Sequence, residues 1–247
     1  MSFVRSEPAV DVWAFDRTPL LALGRAHRHN YETAQPYSHV VIDGLLGDER
    51  SAALAEALPA PDHPGWKRRD YAEQTGRLGQ LQRTGFEGVA PSLRWLLAEL
   101  GGMTFLDFLG ALVGRDDLIG DPHHTGAGPL VTLPGGHLTL HTDFNRDSAR
   151  HLDRVVSTLY YLPRAWDPSW GGELELWDRD RTRCEVAIAP LRDRLVVIAY
   201  GADHWHGHPT PVRCPDGHAR VAIAAHFYAA RNREGDDAGA HGAIWAR

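Results

Sequence analysis

Residues 135–143 read Gly135-Gly136-His137-Leu138-Thr139-Leu140-His141-Thr142-Asp143. The apolar run up to His141 predicts a strand that opens after two glycines and ends in a polar loop. Side chains two apart on a strand point the same way, so His141 and Asp143 can bind one metal ion together. The alternative is a hydrogen-bonded pair at a strand end. A second copy of the pattern, His151-Leu152-Asp153, predicts a solvated loop.

A histidine cluster follows far along the chain, at His204-Trp205-His206-Gly207-His208. Alternating histidines can share one face of a strand, which would suit a zinc or cupin-type site by itself. Alternatively, one of them completes a set of two histidines and one carboxylate with His141 and Asp143. Such a set, with open coordination positions, is typical of non-haem Fe(II) oxygenases.

An arginine opens the last apolar strand of the sequence, since Arg220 precedes the run 221–228 and follows a Pro215-Asp216-Gly217 turn. A guanidinium is costly to bury without a partner, and it can bind a carboxylate through two hydrogen bonds. The sequence therefore predicts a carboxylate beside Arg220, supplied either by the chain or by a dicarboxylate ligand.

The second half of the chain predicts an all-β core. Short apolar stretches recur at intervals of about ten residues, which is typical of a sandwich or barrel. The predicted strands are 129–133, 137–142, 155–162, 173–177, 184–189, 194–200, 203–207 and 219–228. Pro134-Gly135-Gly136 predicts a turn between the first two strands.

The first half is predicted to be helix-rich. Asp48 and Thr104 precede apolar residues at helical spacing and are predicted helix caps, and Ser92 is predicted to start a further helix. Residues 1–36 predict an irregular arm, and 65–89 show only a weak pattern. We therefore predict a single α+β domain over 1–247, with helix-rich support at 1–119, a jelly-roll core at 120–230 and a polar tail at 231–247. Ile244 and Trp245 are the residues that can dock this tail.

Composition excludes several classes of protein. The chain has 247 residues but only 2 cysteines, which argues against a disulfide scaffold or a zinc-finger framework. Its net charge of −6 argues against a nucleic-acid-binding surface, whereas its 15 histidines favour imidazole metal chemistry or pH switching. The sequence shows neither an apolar signal-peptide core nor a stretch of membrane-spanning length. We therefore expect a soluble, cytoplasmic protein with no membrane partner.

The order of these motifs resembles that of a known family, the Fe(II)- and 2-oxoglutarate-dependent oxygenases, and within it the prolyl-hydroxylase-like branch. The resemblance runs from about residue 135 to residue 228, and residues 37–44 resemble the first strand of that branch. Its main blocks are Gly135-Gly136-His137-Leu138-Thr139-Leu140-His141-Thr142-Asp143, Leu159-Tyr160-Tyr161-Leu162-Pro163, Trp170-Gly171-Gly172-Glu173-Leu174, His206-Gly207-His208-Pro209 and Arg220-Val221-Ala222-Ile223.

The resemblance implies a distorted double-stranded β-helix, or jelly roll, with iron at its open end. By position, His141, Asp143 and His206 are similar to the family's iron ligands. Arg220 is similar to the arginine that binds the distal carboxylate of 2-oxoglutarate, and Tyr161 to a tyrosine that often hydrogen-bonds the same carboxylate. The implied cofactors are Fe(II), 2-oxoglutarate as co-substrate and O2, with ascorbate as an additional reductant.

The resemblance also implies the reaction. The family couples decarboxylation of 2-oxoglutarate, to succinate and carbon dioxide, with attack on an unactivated C–H bond. Halogenating relatives have a small residue where Asp143 stands, so the aspartate favours hydroxylation over halogenation and leaves desaturation and ring formation as alternatives. The implied substrate is an amino-acid residue in a peptide or protein, or a small amino-acid-derived metabolite, as in natural-product biosynthesis. Asn145 and Arg146, directly after the HxD motif, are predicted substrate contacts.

The sequence departs from the family in two places. Leu138 and Val131 stand near positions where some relatives carry tyrosines, which leaves the substrate side of the pocket open. Arg220 follows His206 by fourteen residues, a longer gap than in many relatives.

Two other functions are compatible with the sequence. One is a cupin-like metal enzyme that uses His204, His206 and His208, and it predicts activity without 2-oxoglutarate and tolerance of Asp143→Ala. The other is a non-catalytic jelly-roll binding module, which predicts no metal and no loss of function on His141→Ala. The oligomeric state is left open.

Overall fold

The computed structural model describes residues 12–81, 89–230 and 240–246. The helices in these ranges are α1 (Arg17–Thr33), α2 (Asp48–Glu56), α3 (Pro91–Leu100) and α4 (Met103–Val113). The strands before residue 121 are β1 (His39–Asp43), β2 (Lys67–Tyr71), β3 (Gln74–Gly79) and β4 (Ile119–Gly120). Those after it are β5 (Gly128–Thr142), β6 (Arg146–Asp147), β7 (Leu152–Tyr161), β8 (Leu174–Trp177), β9 (Cys184–Ile188), β10 (Arg194–Ala199), β11 (His206–His208), β12 (Arg220–Ala230) and β13 (Ile244–Trp245).

The strands form one curled antiparallel sheet with the order β1-β10-β7-β12-β5-β11-β8-β9. Among the other described strands, β3 and β13 pair with β5, β2 with β3, β4 with β12 and β6 with β7. β5 belongs to both halves of the curled sheet, because its first part pairs with β12 and its last part with β11. The predicted α+β class, with a jelly-roll core backed by N-terminal helices, is confirmed.

The predicted turn at Pro134-Gly135-Gly136 is wrong, because β5 continues through it. The first predicted strand pairs with β12, and the second pairs with β11. The partner segment therefore runs antiparallel to β5 on both sides of the predicted turn. Main-chain hydrogen bonds from Gly135 N to Val212 O (2.7 Å) and from Val212 N to Gly136 O (2.9 Å) bridge the interval. Gly135 has a φ of +77°, which permits the bend that carries the strand from one half of the sheet to the other.

The predicted irregular arm is also corrected, because residues 17–33 form α1, while residues 1–11 lie outside the described ranges. Asp16 caps this helix by accepting a hydrogen bond from Thr18 N at 3.1 Å. Only Leu20, Gly24 and Tyr31 are buried, so the apolar stripe is too narrow for a typical amphipathic pattern. Packing on α4 stabilises the helix instead.

The three predicted helices exist and Ser92 lies in the first turn of α3, but Asp48 and Thr104 lie inside α2 and α4 and do not cap them. The capping positions are Gly47, Ala90 and Gly102, and none of them makes a side-chain capping hydrogen bond. Within the described residues, no single helix combines the length and apolar composition of a membrane span; only α3 and α4 taken together do so, across a bend of 44°.

Two segments for which the sequence predicts no strand contribute strands. The weakly patterned segment 65–89 contains the β2–β3 hairpin, and its residues 82–88 lie outside the described ranges. The second HxD copy is not a solvated loop, because Leu152 begins β7 and Asp153 pairs with Arg146 of β6. Of the predicted polar tail, residues 231–239 also lie outside the described ranges, whereas Ile244 and Trp245 form β13.

Alternation along the strands separates two apolar cores. Tyr160 and Ile223 belong to the core that packs against the helices. Tyr161 and Ala222 belong to the core inside the curled sheet. Arg220, two residues before Ala222 on the same strand, therefore faces the interior, where it lines a cavity.

Candidate active site

Three side chains converge where β5 and β11 pair, namely His141, Asp143 and His206. His206 lies opposite His141 in the register of the two strands. Oδ1 of Asp143 is 3.9 Å from Nε2 of His141, and Oδ2 of Asp143 is 3.8 Å from Nε2 of His206. One ligand atom of each lies within 4.8 Å of the others, close enough to bind one metal ion. Within the described ranges, no other three His, Cys, Asp or Glu side chains meet this distance.

Both histidines are oriented by the main chain. Nδ1 of His141 is 3.0 Å from Thr139 O, and Nδ1 of His206 is 2.9 Å from His204 O. A carbonyl oxygen can only accept, so each Nδ1 carries a proton and each Nε2 presents its lone pair to the site. Burial, followed by the neighbouring His206, lowers the pKa of His141 to about 3, so its imidazole is neutral and ready to bind a metal at neutral pH.

Asp143 is kept ionised by a buried arginine. Burial by itself raises the pKa of this carboxyl, but Arg154 and the nearby histidines outweigh burial and lower the pKa well below its usual range. Nη1 of Arg154 lies 2.8 Å from Oδ2 of Asp143, and the arginine side chain is fully buried. The guanidinium also lies over the Phe144 ring, 3.9 Å from its centroid. The sequence prediction missed Arg154, for which the signal was a charged residue at the start of an apolar strand.

The triad lines a cavity of about 210 Å³, which Arg220 also lines. Arg220 donates from Nε to Gly172 O at 2.7 Å and from Nη2 to the Tyr161 hydroxyl at 2.8 Å. Burial raises the pKa of Tyr161 against the opposing effect of Arg220, so the phenol remains protonated. The structure therefore brings Arg220 and Tyr161 together, and Leu138 belongs to the apolar part of the lining.

The two predicted substrate contacts do not line this cavity. Oδ1 of Asn145 accepts a hydrogen bond from His241 N at 2.9 Å, and Arg146 donates from Nε to Asp153 at 3.0 Å. Their role as substrate contacts stays a prediction.

The histidine cluster does not converge on one point. His204 stacks on Tyr37 with ring centroids 4.2 Å apart, and its Nδ1 is 2.8 Å from Ala199 O. His208 is buried, with Nε2 3.4 Å from the Thr132 hydroxyl. Only His206 of the cluster joins the metal-binding group among the described residues. The geometry therefore favours the triad over the cupin-type alternative.

The C-terminal segment forms part of the site. β13 pairs with the end of β5, with Trp245 opposite His141, and Ala246 N donates to Leu140 O at 2.8 Å. The Trp245 ring lies 4.9 Å from the His141 ring and lines the cavity. The predicted docking of the tail thus covers one side of the candidate metal ligand.

The comparisons with known proteins fit this geometry. Residues 129–228 match the family model of the 2OG-Fe(II) oxygenase superfamily. No curated protein is significantly similar to the chain.

Several solved structures share the fold. A prolyl-4-hydroxylase from Pseudomonas putida is 20% identical over 85% of this chain and 100% of that chain, with a TM-score of 0.57. A Trichoplax adhaerens prolyl hydroxylase, in complex with a peptide fragment of the hypoxia inducible factor oxygen degradation domain, is 18% identical over 85% of this chain and 91% of its own, with a TM-score of 0.53. HygX from Streptomyces hygroscopicus, with nickel, 2-oxoglutarate and hygromycin B bound, is 15% identical over 90% of this chain and 97% of its own, with a TM-score of 0.51.

Proposed function

Because the chain belongs to the 2OG-Fe(II) oxygenase superfamily, we propose that it hydroxylates an unactivated C–H bond of an amino-acid residue. The residue is carried by a peptide or protein, or by a small amino-acid-derived metabolite. Fe(II) and 2-oxoglutarate are the cofactor and co-substrate. The observation that carries the proposal is the convergence of His141, Asp143 and His206 in a cavity that also contains Arg220.

The residues present fit both groups. Two imidazoles and one carboxylate are the ligand set that suits Fe(II) with open coordination positions. Arg220 forms no ion pair with a carboxylate in the described part of the chain, which suits a dicarboxylate ligand. Iron held there would supply the oxygen activation that is coupled to decarboxylation of 2-oxoglutarate to succinate and carbon dioxide.

The chain's own residues prepare this chemistry. His141 and His206 present Nε2 lone pairs in an orientation set by main-chain carbonyls, and Arg154 holds Asp143 in its charged form. Arg220 and Tyr161 would bind the distal carboxylate, so the opposite end of the co-substrate points at the triad. Apolar side chains around the cavity, Leu130, Leu138 and Leu174, exclude water from the space between them.

One observation supports the substrate class, and a second supports the outcome of the reaction. The cavity of about 210 Å³ is smaller than the roughly 300–1,000 Å³ typical of ligand pockets and must also hold the co-substrate. Only a part about the size of a side chain can therefore enter from a larger molecule. Asp143, which occupies the position of a metal ligand, supports hydroxylation as the outcome.

The likeness to two ligand-bound proteins supports the two arms of the substrate proposal. The Trichoplax adhaerens enzyme carries a peptide, which corresponds to an amino-acid residue within a chain. HygX carries hygromycin B, which supports a small molecule as substrate but not the amino-acid part of this second arm, to which natural-product tailoring would belong.

A coupled turnover assay tests the proposal. The Fe(II)-loaded protein is given 2-oxoglutarate, oxygen and either proline-containing peptides, free amino acids or an aminoglycoside, and succinate and product mass are measured. We expect one amino-acid-bearing class to stimulate succinate formation and to gain one oxygen atom derived from O2, and His206→Ala to form neither product. Stimulation only by substrates without an amino-acid part, or a product that gains no oxygen, would contradict the proposal.

A further inference from the structure

A second arginine lies beside Arg220 in the wall of the cavity. Arg77 on β3 pairs with Thr132 of β5, and on the other side of β5 the same Thr132 pairs with Arg220 of β12. Residues paired across adjacent strands share one face of a sheet. The two arginines therefore flank Thr132 on the cavity side, and both are more than nine-tenths buried, with exposed fractions of 7% and 4%.

Neither guanidinium has a carboxylate partner among the described residues. Arg220 binds Gly172 O and the Tyr161 hydroxyl, whereas the side chain of Arg77 has no hydrogen-bond or ion-pair partner within the described ranges. The carboxylate that lines the cavity, Asp143, is 2.8 Å from Arg154. Burial, followed by repulsion from Arg220, lowers the pKa of Arg77 to about 9, which still leaves it charged at neutral pH.

Two buried like charges with no anion between them indicate a site built for a ligand that supplies one. We propose that Arg77 is a second guanidinium for the distal carboxylate of 2-oxoglutarate, which lies between Arg77 and Arg220 in front of Thr132. The inference rests on the proposed function, because it needs the co-substrate to bind in this cavity.

The local chemistry provides enough donors for such a carboxylate. Its two oxygens can accept about four hydrogen bonds. The Tyr161 oxygen already accepts from Arg220, so the phenol proton is available to the ligand. Arg77 lies near the same position for the carboxylate, since Arg220 and Tyr161 are both among the neighbours that shift the pKa of Arg77. The distal carboxylate of 2-oxoglutarate would thus neutralise Arg77 and Arg220, for which the described residues supply no carboxylate.

The β2–β3 hairpin offers a matched control. Arg68 lies opposite Leu78 in the hairpin register, is exposed and ion-paired with Asp70, and does not line the cavity. Arg68→Gln removes the same charge from the same hairpin, and it is expected to act on an anion in the cavity only through a weak, screened field.

The test compares two ligands that differ only at the distal end. Dissociation constants of 2-oxoglutarate and of 2-oxovalerate, which lacks the distal carboxylate, are measured by anaerobic calorimetry on the Fe(II)-loaded protein. In Arg77→Gln we expect the preference for 2-oxoglutarate to fall by about tenfold or more, with 2-oxovalerate affinity unchanged. We expect Arg68→Gln to keep the wild-type preference and Arg77→Lys to keep most of it.

Thermal unfolding gives a second readout that does not depend on turnover. Removing an uncompensated buried cation should leave the ligand-free Arg77→Met protein as stable as wild type or more so, while 2-oxoglutarate should raise its melting temperature less. An unchanged ligand preference in Arg77→Gln, or equal losses in Arg77→Gln and Arg68→Gln, would overturn the inference. If wild-type protein does not bind 2-oxoglutarate at all, the proposed function itself fails.

Discussion

Arg154 and Asp143 form a buried ion pair directly behind the candidate metal site, with Nη1 of the arginine 2.8 Å from Oδ2 of the aspartate. The pair fixes both the charge and the orientation of the carboxylate that faces His141 and His206. Loss of a partner that orients a metal ligand typically lowers metal affinity by about 10–100-fold.

Replacing Arg154 should therefore weaken metal binding. We expect Arg154→Gln to reduce Fe(II) affinity by about 10–100-fold, because the carboxylate loses its partner and its pKa rises toward the ordinary value. Metal titration of the folded variant measures the change. Arg183→Gln, which removes an exposed arginine paired with Glu185, is the control and should bind metal like wild type. Wild-type affinity in Arg154→Gln would show that the ion pair does not position the ligand.

The three predicted ligands should behave as one unit. We expect His141→Ala, Asp143→Ala and His206→Ala each to lose stoichiometric metal binding, since two remaining ligands do not define the site. His204→Ala should retain it, because His204 stacks on Tyr37 and is bonded to Ala199 O. Metal content after dialysis measures the difference. Retention in Asp143→Ala together with loss in His204→Ala would favour the cupin-like arrangement instead.

Tyr161 should contribute to co-substrate affinity and little to chemistry. Tyr161→Phe removes one hydrogen-bond donor beside Arg220, and we expect the KM for 2-oxoglutarate to rise about five- to tenfold with kcat nearly unchanged. Steady-state succinate formation at varied 2-oxoglutarate measures both constants. A fall in kcat at unchanged KM would place the phenol in the chemical step.

The pair formed by Asp43 and Arg194 at the end of the β1–β10 ladder should make stability depend on pH. Its two contacts are 2.6 and 2.8 Å long, and the hydrogen bond from Arg194 lowers the pKa of Asp43 below its ordinary value of 3.8. A lowered native pKa stabilises the fold above pH 3.8 and loses this effect as pH falls through the native value. Because the aspartate is largely exposed, Asp43→Asn should cost only about 1 kcal/mol or less.

Urea unfolding at neutral pH and at a pH below the native pKa of Asp43 measures this difference. The wild-type advantage over Asp43→Asn should be present at neutral pH and shrink at the acidic pH. An advantage that grows on acidification would have the wrong sign for this ion pair.

Helix α1 should depend on the absence of a side chain at Gly24. A Cβ there would lie 2.6 Å from Phe108 O on α4. Alanine gains about 1 kcal/mol of helix propensity over glycine, but overpacking costs about 1–3 kcal/mol. We expect Gly24→Ala to lower the free energy of unfolding by up to about 2 kcal/mol, whereas Gly242→Ala, with open space around it, should change nothing. Increased stability in Gly24→Ala would show that α1 can move away from α4 without cost.

The residues that could be predicted from the sequence lie in local patterns. His141 and Asp143 end an apolar strand, and Arg220 opens another, so strand periodicity and the family resemblance identify them. Arg77 lacks such a signal, because its importance arises from pairing between strands that are distant in the chain. Arg154 stands at the start of an apolar strand as Arg220 does, but no local pattern shows that it pairs with Asp143.

The fold shows the same division. The helices and most strands follow from periodicity, and their order supports the jelly roll. The continuity of β5 through Gly135 could not be predicted, since a Pro-Gly-Gly sequence ordinarily ends a strand and only the long partner segment keeps this one in register. α1 was missed because its stability comes from packing on α4 rather than from a wide apolar face.

The proposed function requires that His141, Asp143 and His206 hold Fe(II) in a cavity that binds 2-oxoglutarate. Anaerobic titration of the Fe(II)-loaded protein with 2-oxoglutarate, followed by visible absorption spectroscopy, tests it most directly. We expect a metal-to-ligand charge-transfer band that saturates at one 2-oxoglutarate per protein and is absent in Asp143→Ala. Protein that retains iron but shows no such band at saturating 2-oxoglutarate would contradict it.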